Sequence, residues 1–511
     1  MVASSLRPRI WLAVAVASAL VASVFAQAVK VPGQAAVPLV NSGFELALPD
    51  NAARPAGWFK AGPGETYSRD TRVFRSGSAS LSLQRSEGAA FTAVAQTVPA
   101  TALQNSVVVL RAWVRGDGAD SAGALALMAL GGDRKSVGYA QSEAPAGTES
   151  GDWLLHETRL LVPPTAQHLQ AGLRLTAGGT RWFDDVELIT WPVDASNQAL
   201  LSPVAEKYLG EALDAVRGQA LHSGRVDWST VVAQARALAA GAAAPSDTYD
   251  AIRHVLRALH DGHSHLQTPT ARAAAERSVS KSVTAVSITT VRGRPVLVLP
   301  GFASMDEAAE QAFAMNIQRA IAAARRPECG LVLDLRTNAG GNMFPMLAGL
   351  APLFGDGEVG GLLTSTGAQV AWKFERGRFV SSGPGQTAKV IDLPERVVRL
   401  GAGTTPVAVL LGPTTASSGE AVAIAFVGRP QSRSFGSNSA GRTTGNRPVV
   451  LPDGALLAIT SATMRDRTGT AYGGVIRPDE VVAPATAASP EDDAVLAAAV
   501  SWLDSQKACA N

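Results

Sequence analysis

The sequence predicts a chain of several domains, in which an N-terminal β-sandwich is followed by a helical segment and then by an α/β unit. Residues 41–192 contain short apolar runs with a period of two, as antiparallel strands do. Residues 196–275 change to helical periodicity, and residues 282–485 alternate buried apolar runs with amphipathic stretches. At 511 residues the chain is also longer than one ordinary domain.

The composition favours a folded protein without a strong electric field. Hydrophobic residues make up 46% of the chain and charged residues 17%, which predicts a sizeable buried core. The 45 basic and 43 acidic residues give a formal net charge of +2. We therefore expect neither a nucleic-acid partner nor attraction to an anionic membrane.

Residues 1–28 are predicted to be a secretory signal peptide. Arg7 and Arg9 precede an apolar run over residues 10–25, and two small-residue cleavage sites follow it. An uncleaved membrane anchor is the alternative, but the run is shorter than the roughly 20 residues that a span needs. We expect an exported protein, periplasmic or secreted, with no membrane span after cleavage.

The β-sandwich is predicted over residues 41–192, after a linker at residues 29–40 that contains two prolines. Alternating runs such as Val107 to Val114 are separated by Gly, Pro, Asp and Ser, which indicates short antiparallel strands packed in two sheets. The pair Trp191-Pro192 ends the region, because proline cannot continue a central strand.

The helical segment at residues 196–275 carries a histidine-rich motif. One predicted helix has an apolar face with Ile252 and Leu259, and it runs out at Gly262 within the sequence His-Asp-Gly-His-Ser-His at 260–265. A neutral imidazole suits proton transfer from a serine hydroxyl. Exposed histidines at a helix end are the alternative, and a metal site would lack a third obvious ligand.

The α/β unit at residues 282–485 is predicted to hold a largely parallel sheet covered by helices. Its buried apolar runs are Pro295 to Pro300, Gly330 to Leu335 and Pro406 to Leu411. A capping box from Ser304 to Glu307 is expected to open its first helix. Residues 486–511 follow, with an amphipathic helix from Glu491 to Gln506.

Ser417 lies at the turn between the third buried run and a helix predicted at about 418–427. A serine at such a turn can present its hydroxyl beside the free N–H groups of the first helical turn, which favour a developing oxyanion. The alternative is purely structural, because Ser417 and Glu420 also have capping-box spacing. The two interpretations are compatible.

Gly340 and Gly341 follow the second buried run. Glycine lets backbone approach a ligand closely, and ligand clefts lie beyond the carboxyl ends of parallel strands. A tight turn without a ligand is the alternative. Elsewhere, Cys329 and Cys509 are the two cysteines of the chain, and in an exported protein they either pair or stay as free thiols.

Taken in order, these motifs resemble the tail-specific (C-terminal processing) serine protease family over roughly residues 200–485. The motifs are Asp-Gly-His-Ser at 261–264, Asp-Leu-Arg-x-Asn-x-Gly-Gly at 334–341, Ser-Ser-Gly-Glu at 417–420, Gly441 to Asn446, Leu-Pro-Asp-Gly at 451–454 and Pro-Asp at 478–479. The resemblance implies a crotonase-like ββα core, a Ser417 nucleophile and a protein or peptide substrate. It also implies an oxyanion hole made by the Ser418 N–H and a glycine of the Gly340-Gly341 pair.

Members of that family differ in the catalytic base. The bacterial processing proteases use a lysine where this chain has Arg442, and arginine stays protonated. The tricorn-like branch uses a histidine, which matches His263, and orients it with a glutamate where this chain has Tyr472. The remaining candidates for that acid are Asp466, Asp479 and Glu480. The chain also lacks the PDZ-like insertion of the family, so capture of substrate on such a module is not expected.

The front module resembles a carbohydrate-binding jelly-roll module. The resemblance is carried by Asn-Ser-Gly-Phe-Glu at 41–45, Pro-Ala-Gly-Trp at 55–58, Ser76-Gly77 and Trp-Phe-Asp-Asp at 182–185. It implies a structural calcium ion at Glu45 and Asp185, whose hard oxygen atoms suit that ion. Trp58, Trp113, Trp153 and Trp182 could stack on a glycan, with core packing as the alternative.

Two functions remain open from the sequence. The first is an exported serine endopeptidase in which Ser417 attacks and His263 transfers the proton, with no cofactor needed for catalysis. The second is a catalytically inactive, protease-like protein that binds a glycan or a peptide. The arginine at 442 and the absence of an evident orienting acid favour the second, and the presence of both Ser417 and His263 favours the first.

Overall fold

The structure is a computed structural model. It describes residues 30–64, 66–85, 90–116, 125–142, 151–176, 179–198, 200–273, 286–384, 388–393, 400, 403–483 and 489–506. The predicted signal peptide at 1–28 and Cys509 lie outside these residues, so cleavage stays a prediction and the two alternatives for Cys329 and Cys509 stay open. Within the described ranges, no helix combines the length and apolar character that crossing a bilayer requires.

The N-terminal region is β-rich, as predicted. Its strands are β1 (Ala35–Ala36), β2 (Ala47–Leu48), β3 (Asn51–Pro55), β4 (Phe59–Lys60), β5 (Tyr67–Asp70), β6 (Ser80–Gln84), β7 (Thr92–Pro99), β8 (Ser106–Gly116), β9 (Leu125–Leu130), β10 (Ser136–Gln141), β11 (Leu154–Leu161), β12 (His168–Leu175) and β13 (Thr180–Pro192). A single helical turn at Thr101–Leu103 precedes β8.

Most of these strands form two antiparallel sheets that share one core, while β2 and β3 pair with each other in a separate two-stranded sheet. The first sheet has the order β11-β8-β13-β6-β5, and the second has the order β10-β9-β12-β7-β4. Alternation along β12, where every second side chain is buried, turns one face of the strand inward. Phe44, Leu110 and Phe183 are among the side chains that fill the space between the sheets.

The predicted linker at residues 29–40 is in part ordered structure. β1 pairs with β13, with Ala35 opposite Thr190 and Ala36 opposite Ile189. Val31 is buried in the cluster that also holds Trp191. The linker prediction is therefore wrong over these residues, because a two-residue strand has no period that composition could reveal.

The strands after residue 264 belong to two further sheets. They are β14 (His265–Gln267), β15 (Ser287–Val291), β16 (Arg294–Val298), β17 (Leu331–Asp334), β18 (Gly357–Thr364), β19 (Gln369–Glu375), β20 (Arg378–Ser382), β21 (Lys389–Ile391), β22 (Val407–Leu411), β23 (Ser432–Gly436), β24 (Thr444–Val450), β25 (Leu456–Asp466) and β26 (Glu480–Val481).

One of these sheets confirms the predicted largely parallel sheet. Its order is β15-β16-β17-β22-β23-β26, and every pairing from β16 onward is parallel. β17 and β22 are buried along their whole length, as their continuous apolar runs predicted. The carboxyl ends of both strands meet at one edge, where the chain carries its glycine and serine motifs.

The other sheet was not predicted. It is antiparallel, with the order β14-β25-β18-β19-β20-β21, and β24 also pairs with β25. β18 and β25 pack on the helix that follows β22, and Trp372 of β19 is fully buried in the same core. Three glycines in the eight residues of β18 hide the alternation that would have identified this strand.

The helices are interspersed between the strands. They are α1 (Ala195–Gln198), α2 (Pro203–Gln219), α3 (Trp228–Leu238), α4 (Tyr249–Ala258), α5 (Glu307–Ala323), α6 (Met343–Leu350), α7 (Ser418–Phe426) and α8 (Ala494–Asp504). Short 3₁₀ turns are Ser223–Arg225, Pro245–Thr248, Pro327–Cys329, Ala351–Leu353 and Pro490–Asp492. The N-cap of α5 is Asp306, whose side chain accepts from the Ala309 N–H, so the expectation that Ser304 caps it is wrong.

The helical segment joins the β-rich region to the antiparallel sheet through one continuous core. Val107 and Trp191 of the sandwich, Leu209 of α2 and Ile459 of β25 belong to the same buried cluster. The Trp191 indole also donates a hydrogen bond to the Ala237 carbonyl at 2.9 Å. Burial of each such large apolar side chain contributes about 1.5–3 kcal/mol. The histidine motif is therefore held from both sides.

Candidate active site

Ser417 occupies a strained turn between β22 and α7. Its backbone has φ 50° and ψ −115°, a conformation that costs a non-glycine residue about 1–3 kcal/mol. The turn is held against the end of β17, because the Thr415 hydroxyl donates to the Leu335 carbonyl at 2.9 Å and the Ala416 N–H donates to the Asn338 carbonyl at 3.0 Å. Strain that the surroundings enforce in this way is typical of functional positions.

The buried carboxylate of Glu420 organises the backbone around that turn. It accepts hydrogen bonds from the N–H groups of Ser417 (2.8 Å), Gly441 (2.8 Å) and Arg442 (2.9 Å), and from the Ser439 hydroxyl (2.5 Å). Burial raises the pKa of Glu420 above its usual range. The glutamate thus connects the nucleophile turn to the segment around residue 441.

Gly340 and Gly341 lie directly against the serine turn. Both have positive φ, 106° and 117°, which favours glycine. A methyl group on Gly340 would meet the Ser417 Cβ at 2.8 Å and the Ser418 nitrogen at 3.2 Å. The Ser418 hydroxyl donates to the Gly341 carbonyl at 2.5 Å. The four residues predicted for nucleophile and oxyanion hole are therefore neighbours.

The N–H groups of the two glycines are not equivalent. The Gly340 N–H donates to the Asn338 side-chain oxygen at 3.0 Å. Among the residues that the structure describes, the N–H groups of Gly341 and Ser418 donate to no protein acceptor. These two N–H groups can donate to an oxyanion without losing an existing hydrogen bond.

A buried carboxylate fixes the loop that follows the glycines. The Asn342 amide donates to Glu310 Oε1 at 2.7 Å and to the Ser304 carbonyl at 2.9 Å. Glu310 is fully buried, and its other oxygen accepts from Lys389 Nζ at 2.7 Å. The Asn342 N–H in turn donates to the Phe302 carbonyl at 2.5 Å. The backbone of the glycine loop is thus anchored on α5.

His263 lies in the short connection between α4 and β14, and it is only 8% exposed. Its Nδ1 atom lies 2.7 Å from the Thr444 hydroxyl, and its carbonyl accepts from the Asn446 amide at 3.2 Å. Burial lowers the pKa of His263 to about 4, with further lowering by the nearby positive charges of His265 and Arg442. The imidazole is therefore neutral at physiological pH.

A segment at residues 439–446, called here the bridging segment, contacts both halves of the candidate site. Its Ala440 N–H donates to the Thr415 carbonyl at 2.9 Å, beside Ser417. Its Arg442 N–H donates to Glu420, while Thr444 contacts His263. The serine turn and the histidine are therefore attached to the same short stretch of backbone.

The three acids considered as partners of His263 are engaged elsewhere. Asp466 accepts from the Tyr472 hydroxyl at 3.0 Å and from Thr468 and Thr470 in its own turn. Asp479 accepts from the Ser434 N–H and hydroxyl, and Glu480 forms an ion pair with Arg433 at 3.2 Å. Thr444 stands in their place, and sequence reasoning missed it although it lies within the quoted motif Gly441 to Asn446.

The residues predicted to bind calcium lie around one turn of the sandwich. Glu45 accepts from the Ser78 N–H and hydroxyl, while Asp185 accepts from Ser76 and pairs with Arg75. In the described part of the chain, no three His, Cys, Asp or Glu side chains are grouped as a metal ion would require. A calcium ion would have to displace Ser76, Ser78 or Arg75 from these carboxylates, and calcium binding at Glu45 and Asp185 stays a prediction.

The tryptophans of the front module differ in environment. Trp58 is buried beside Phe44 and donates to the Asn41 carbonyl, as core packing requires. Trp113 carries the Arg75 guanidinium over its ring at 3.8 Å, and Trp182 donates to Asp70 at 3.0 Å. Trp113, Trp153 and Trp182 are partly exposed.

Comparison with known proteins bears on the C-terminal half. Residues 296–482 match the family described as Peptidase family S41. A 143-residue region is 37% identical to the nisin-resistance protein of Lactococcus lactis subsp. lactis, covering 28% of this chain and 42% of that protein, so the match spans less than half of the relative's length.

Two solved structures also align with the chain. A lipoprotein from Streptococcus agalactiae is 25% identical with a TM-score of 0.48, over 60% of this chain and 98% of that one. The photosystem II D1 C-terminal processing protease is 18% identical with a TM-score of 0.36, over 55% of this chain and 94% of that one.

Proposed function

Because residues 296–482 form a domain of Peptidase family S41, a family of serine peptidases, we propose that this protein is an exported serine endopeptidase. In this proposal Ser417 is the nucleophile and His263 is the general base. The observation that supports it best is the bridging segment, which hydrogen-bonds to the serine turn through Glu420 and to His263 through Thr444.

The proposed reaction begins with attack of the Ser417 oxygen on the carbonyl carbon of a peptide bond. The serine proton passes to His263 Nε2, because Nδ1 is occupied by Thr444. Collapse of the tetrahedral intermediate breaks the C–N bond, and the amine leaves with that proton. A water molecule then hydrolyses the acyl-enzyme, again transferring a proton through His263, and regenerates the serine.

The oxyanion of each tetrahedral intermediate would accept from the Gly341 and Ser418 N–H groups. Both donors belong to rigid backbone, since the glycine loop is anchored on Glu310 and the serine turn on Glu420. Ser418 is also the first residue of α7, whose N-terminal dipole favours negative charge. Losing one such donor typically slows an acyl-transfer enzyme about 100- to 1,000-fold.

The proposal also covers the type of core fold, the type of front module, export and the calcium ion. The parallel sheet with its flanking helices is consistent with a crotonase-like core, and the two antiparallel sheets with a jelly-roll module that displays Trp113 and Trp182 to a glycan. Export to the periplasm or the exterior rests on the sequence of residues 1–28. The calcium ion at Glu45 and Asp185 would require both carboxylates to exchange their present donors.

A catalytically inactive binding protein is the second candidate function. It is favoured by one observation, namely that His263 is held by a neutral hydroxyl where a carboxylate would stabilise the imidazolium. In such a protein the cleft beside Ser417 would bind a peptide without cleaving it. Turnover therefore separates the two candidates.

Digestion of a proteome-derived peptide mixture, read by mass spectrometry, tests the proposal. The purified wild-type protein is expected to generate new peptide termini, and Ser417→Ala and His263→Ala are expected to generate none above background. Ser461→Ala is a matched control, because Ser461 lies on β25 and, among the described residues, its hydroxyl makes a single long hydrogen bond, to the Gly445 carbonyl at 3.5 Å. Cleavage that persists in Ser417→Ala, or none with folded wild-type protein, contradicts the hydrolase assignment.

A further inference from the structure

Arg442 is a charged residue of the candidate site that the proposed reaction does not use. Its backbone N–H donates to the same Glu420 oxygen that accepts from the Ser417 N–H, so the two residues are attached to one atom. Two residues later, Thr444 contacts His263. The positive charge of Arg442 also contributes to the lowered pKa of His263. Arg442 is therefore linked through its backbone to the serine turn and lies two residues from the threonine that contacts His263.

The Arg442 side chain is exposed, and no acidic side chain in the described part of the chain pairs with it. Within the described residues, it forms neither an ion pair nor a side-chain hydrogen bond. Asp261, the acid close to His263, accepts from the His263 and Ser264 N–H groups and from the Ser264 hydroxyl. The planar donor fork of the arginine is thus available to a ligand.

The backbone on both sides of Arg442 is fixed by hydrogen bonds. On one side the Gly441 N–H donates to Glu420, and on the other the buried Thr443 hydroxyl donates to the Gly474 carbonyl at 2.8 Å. Ligand binding to Arg442 therefore has to order the side chain but not the backbone that carries it. Surface arginines on mobile loops do not have this advantage.

A bound peptide would displace water around Arg442. An arginine that is desolvated beside an apolar group is unfavourable, whereas a carboxylate restores the lost interactions through two parallel hydrogen bonds. Arg442 would therefore favour peptides that place a carboxylate beside it and disfavour peptides that place an apolar group there. We propose that Arg442 is a specificity-determining residue that binds a carboxylate of the peptide. This inference rests on the proposed function, because hydrolysis is the reaction that would follow binding.

The carboxylate has two sources in a peptide, an acidic side chain and the free chain terminus. Three fluorescent alanine-based peptides of equal length distinguish them: one ends in a free carboxylate, one ends in an amide, and one is an amide with a single internal Asp. Anisotropy titrations against Ser417→Ala measure binding without hydrolysis. We expect one carboxylate peptide to bind about three- to tenfold more tightly than the neutral amide.

Binding measurements on Arg442 variants test whether this residue causes the preference for a carboxylate. Arg442→Gln on the Ser417→Ala background should bring the affinity ratio of acidic to neutral peptide to about one, and Arg442→Lys should retain part of it. Arg447→Gln is the matched control, because Arg447 is an exposed arginine of β24 whose side chain, within the described ranges, hydrogen-bonds to neither Ser417 nor His263. Thermal unfolding confirms that each variant is folded.

The outcomes separate the inference from the proposed function. An acid-to-neutral ratio that is unchanged by Arg442→Gln, or equal binding or no binding of all three peptides, overturns the carboxylate site. A ratio that depends on Arg442 while the wild-type protein cleaves none of the peptides supports the site and contradicts the hydrolase. Loss of the ratio with rising salt is expected as well, since the site is exposed.

Discussion

The Oγ1 atom of Thr444 lies 2.7 Å from the Nδ1 atom of His263, at the position where related mechanisms use a carboxylate. If Nδ1 carries the proton and donates to Thr444, the lone pair on Nε2 faces away and is free to accept the serine proton. A neutral hydroxyl fixes the ring and its tautomer, but it does not neutralise the imidazolium that forms during attack. In the proposed mechanism, this hydrogen bond would orient the base in place of an acid.

Thr444→Val removes that hydrogen bond while keeping the shape of the side chain. We expect kcat to fall about tenfold, since a neutral hydrogen bond contributes roughly 1–1.5 kcal/mol. Thr444→Ser retains the hydroxyl and should keep most of the activity. Steady-state hydrolysis of one quenched peptide compares the three proteins, and equal kcat in Thr444→Val and the wild type would remove Thr444 from the mechanism.

The pH dependence follows from the pKa of His263, which burial lowers from 6.5 to about 4. A base must be neutral, so kcat/KM should stay level on the acidic side until about pH 4 and then fall. An acidic limb near the ordinary histidine value of about 6.5 would contradict the buried, neutral imidazole. A pH–rate profile in a constant-ionic-strength buffer measures it.

The lowered pKa of His263 also makes the free energy of unfolding depend on pH. The unfolded histidine binds a proton near pH 6.5 and the folded one only near pH 4, so the unfolded state holds more protons between these values. The stability associated with neutral His263 is therefore present above about pH 6.5 and is lost as the pH falls towards 4. His263→Gln should show a smaller loss of stability over this interval in chemical denaturation. A slope equal to that of the wild type would contradict the assignment.

Asn342→Ala should act on the oxyanion hole without touching the substrate. The substitution removes the amide that ties the glycine loop to Glu310 and Ser304. We expect kcat to fall about 10- to 100-fold with a smaller change in KM, because the loosened donors matter most in the transition state. Glu310→Gln keeps an oxygen that can accept from Asn342, so it should lose less activity. A rise in KM alone in Asn342→Ala would argue against a role in oxyanion binding.

Asp453 connects the helical segment to the turn between β24 and β25. It accepts from the Tyr208 hydroxyl at 2.7 Å and from the Tyr249 hydroxyl. Asp453→Asn weakens both hydrogen bonds and should lower the free energy of unfolding by about 1–3 kcal/mol. Slower hydrolysis is expected as well, because α4 leads directly into the connection that holds His263. Tyr208→Phe removes one bond and should have the smaller effect. Unchanged thermal stability of Asp453→Asn would show that the contact does not hold the two units together.

The parallel sheet and the helix after Ser417 were predictable from local sequence. β17 and β22 are buried strands of four and five residues in which Asp334 alone is not apolar, and α7 begins at Ser418 as the serine motif indicated. These features are predictable because neighbouring residues determine them: a continuous apolar run indicates a strand buried on both faces, and the residues that follow it indicate the turn. The C-terminal helix was also predicted, and Asp493 as its N-cap moves its start to Ala494.

The features that sequence could not provide are long-range. Thr444 meets His263 across 181 positions, so no spacing rule relates them. The antiparallel sheet joins β14 to β25 and β18, whose residues lie far apart in the chain. The candidates for the orienting acid were predicted from their position in the chain near the final Pro-Asp motif. In the structure, Asp466, Asp479 and Glu480 instead stabilise turns and a strand.

Labelling with a fluorophosphonate probe, read by intact-mass spectrometry, tests the central claim most directly, because it reports whether His263 activates Ser417. We expect one label per chain, mapped to Ser417, absent from Ser417→Ala and slowed by at least about 100-fold in His263→Ala. Labelling of folded wild-type protein at another residue, or at Ser417 with the same rate when His263 is absent, would contradict a serine–histidine peptidase.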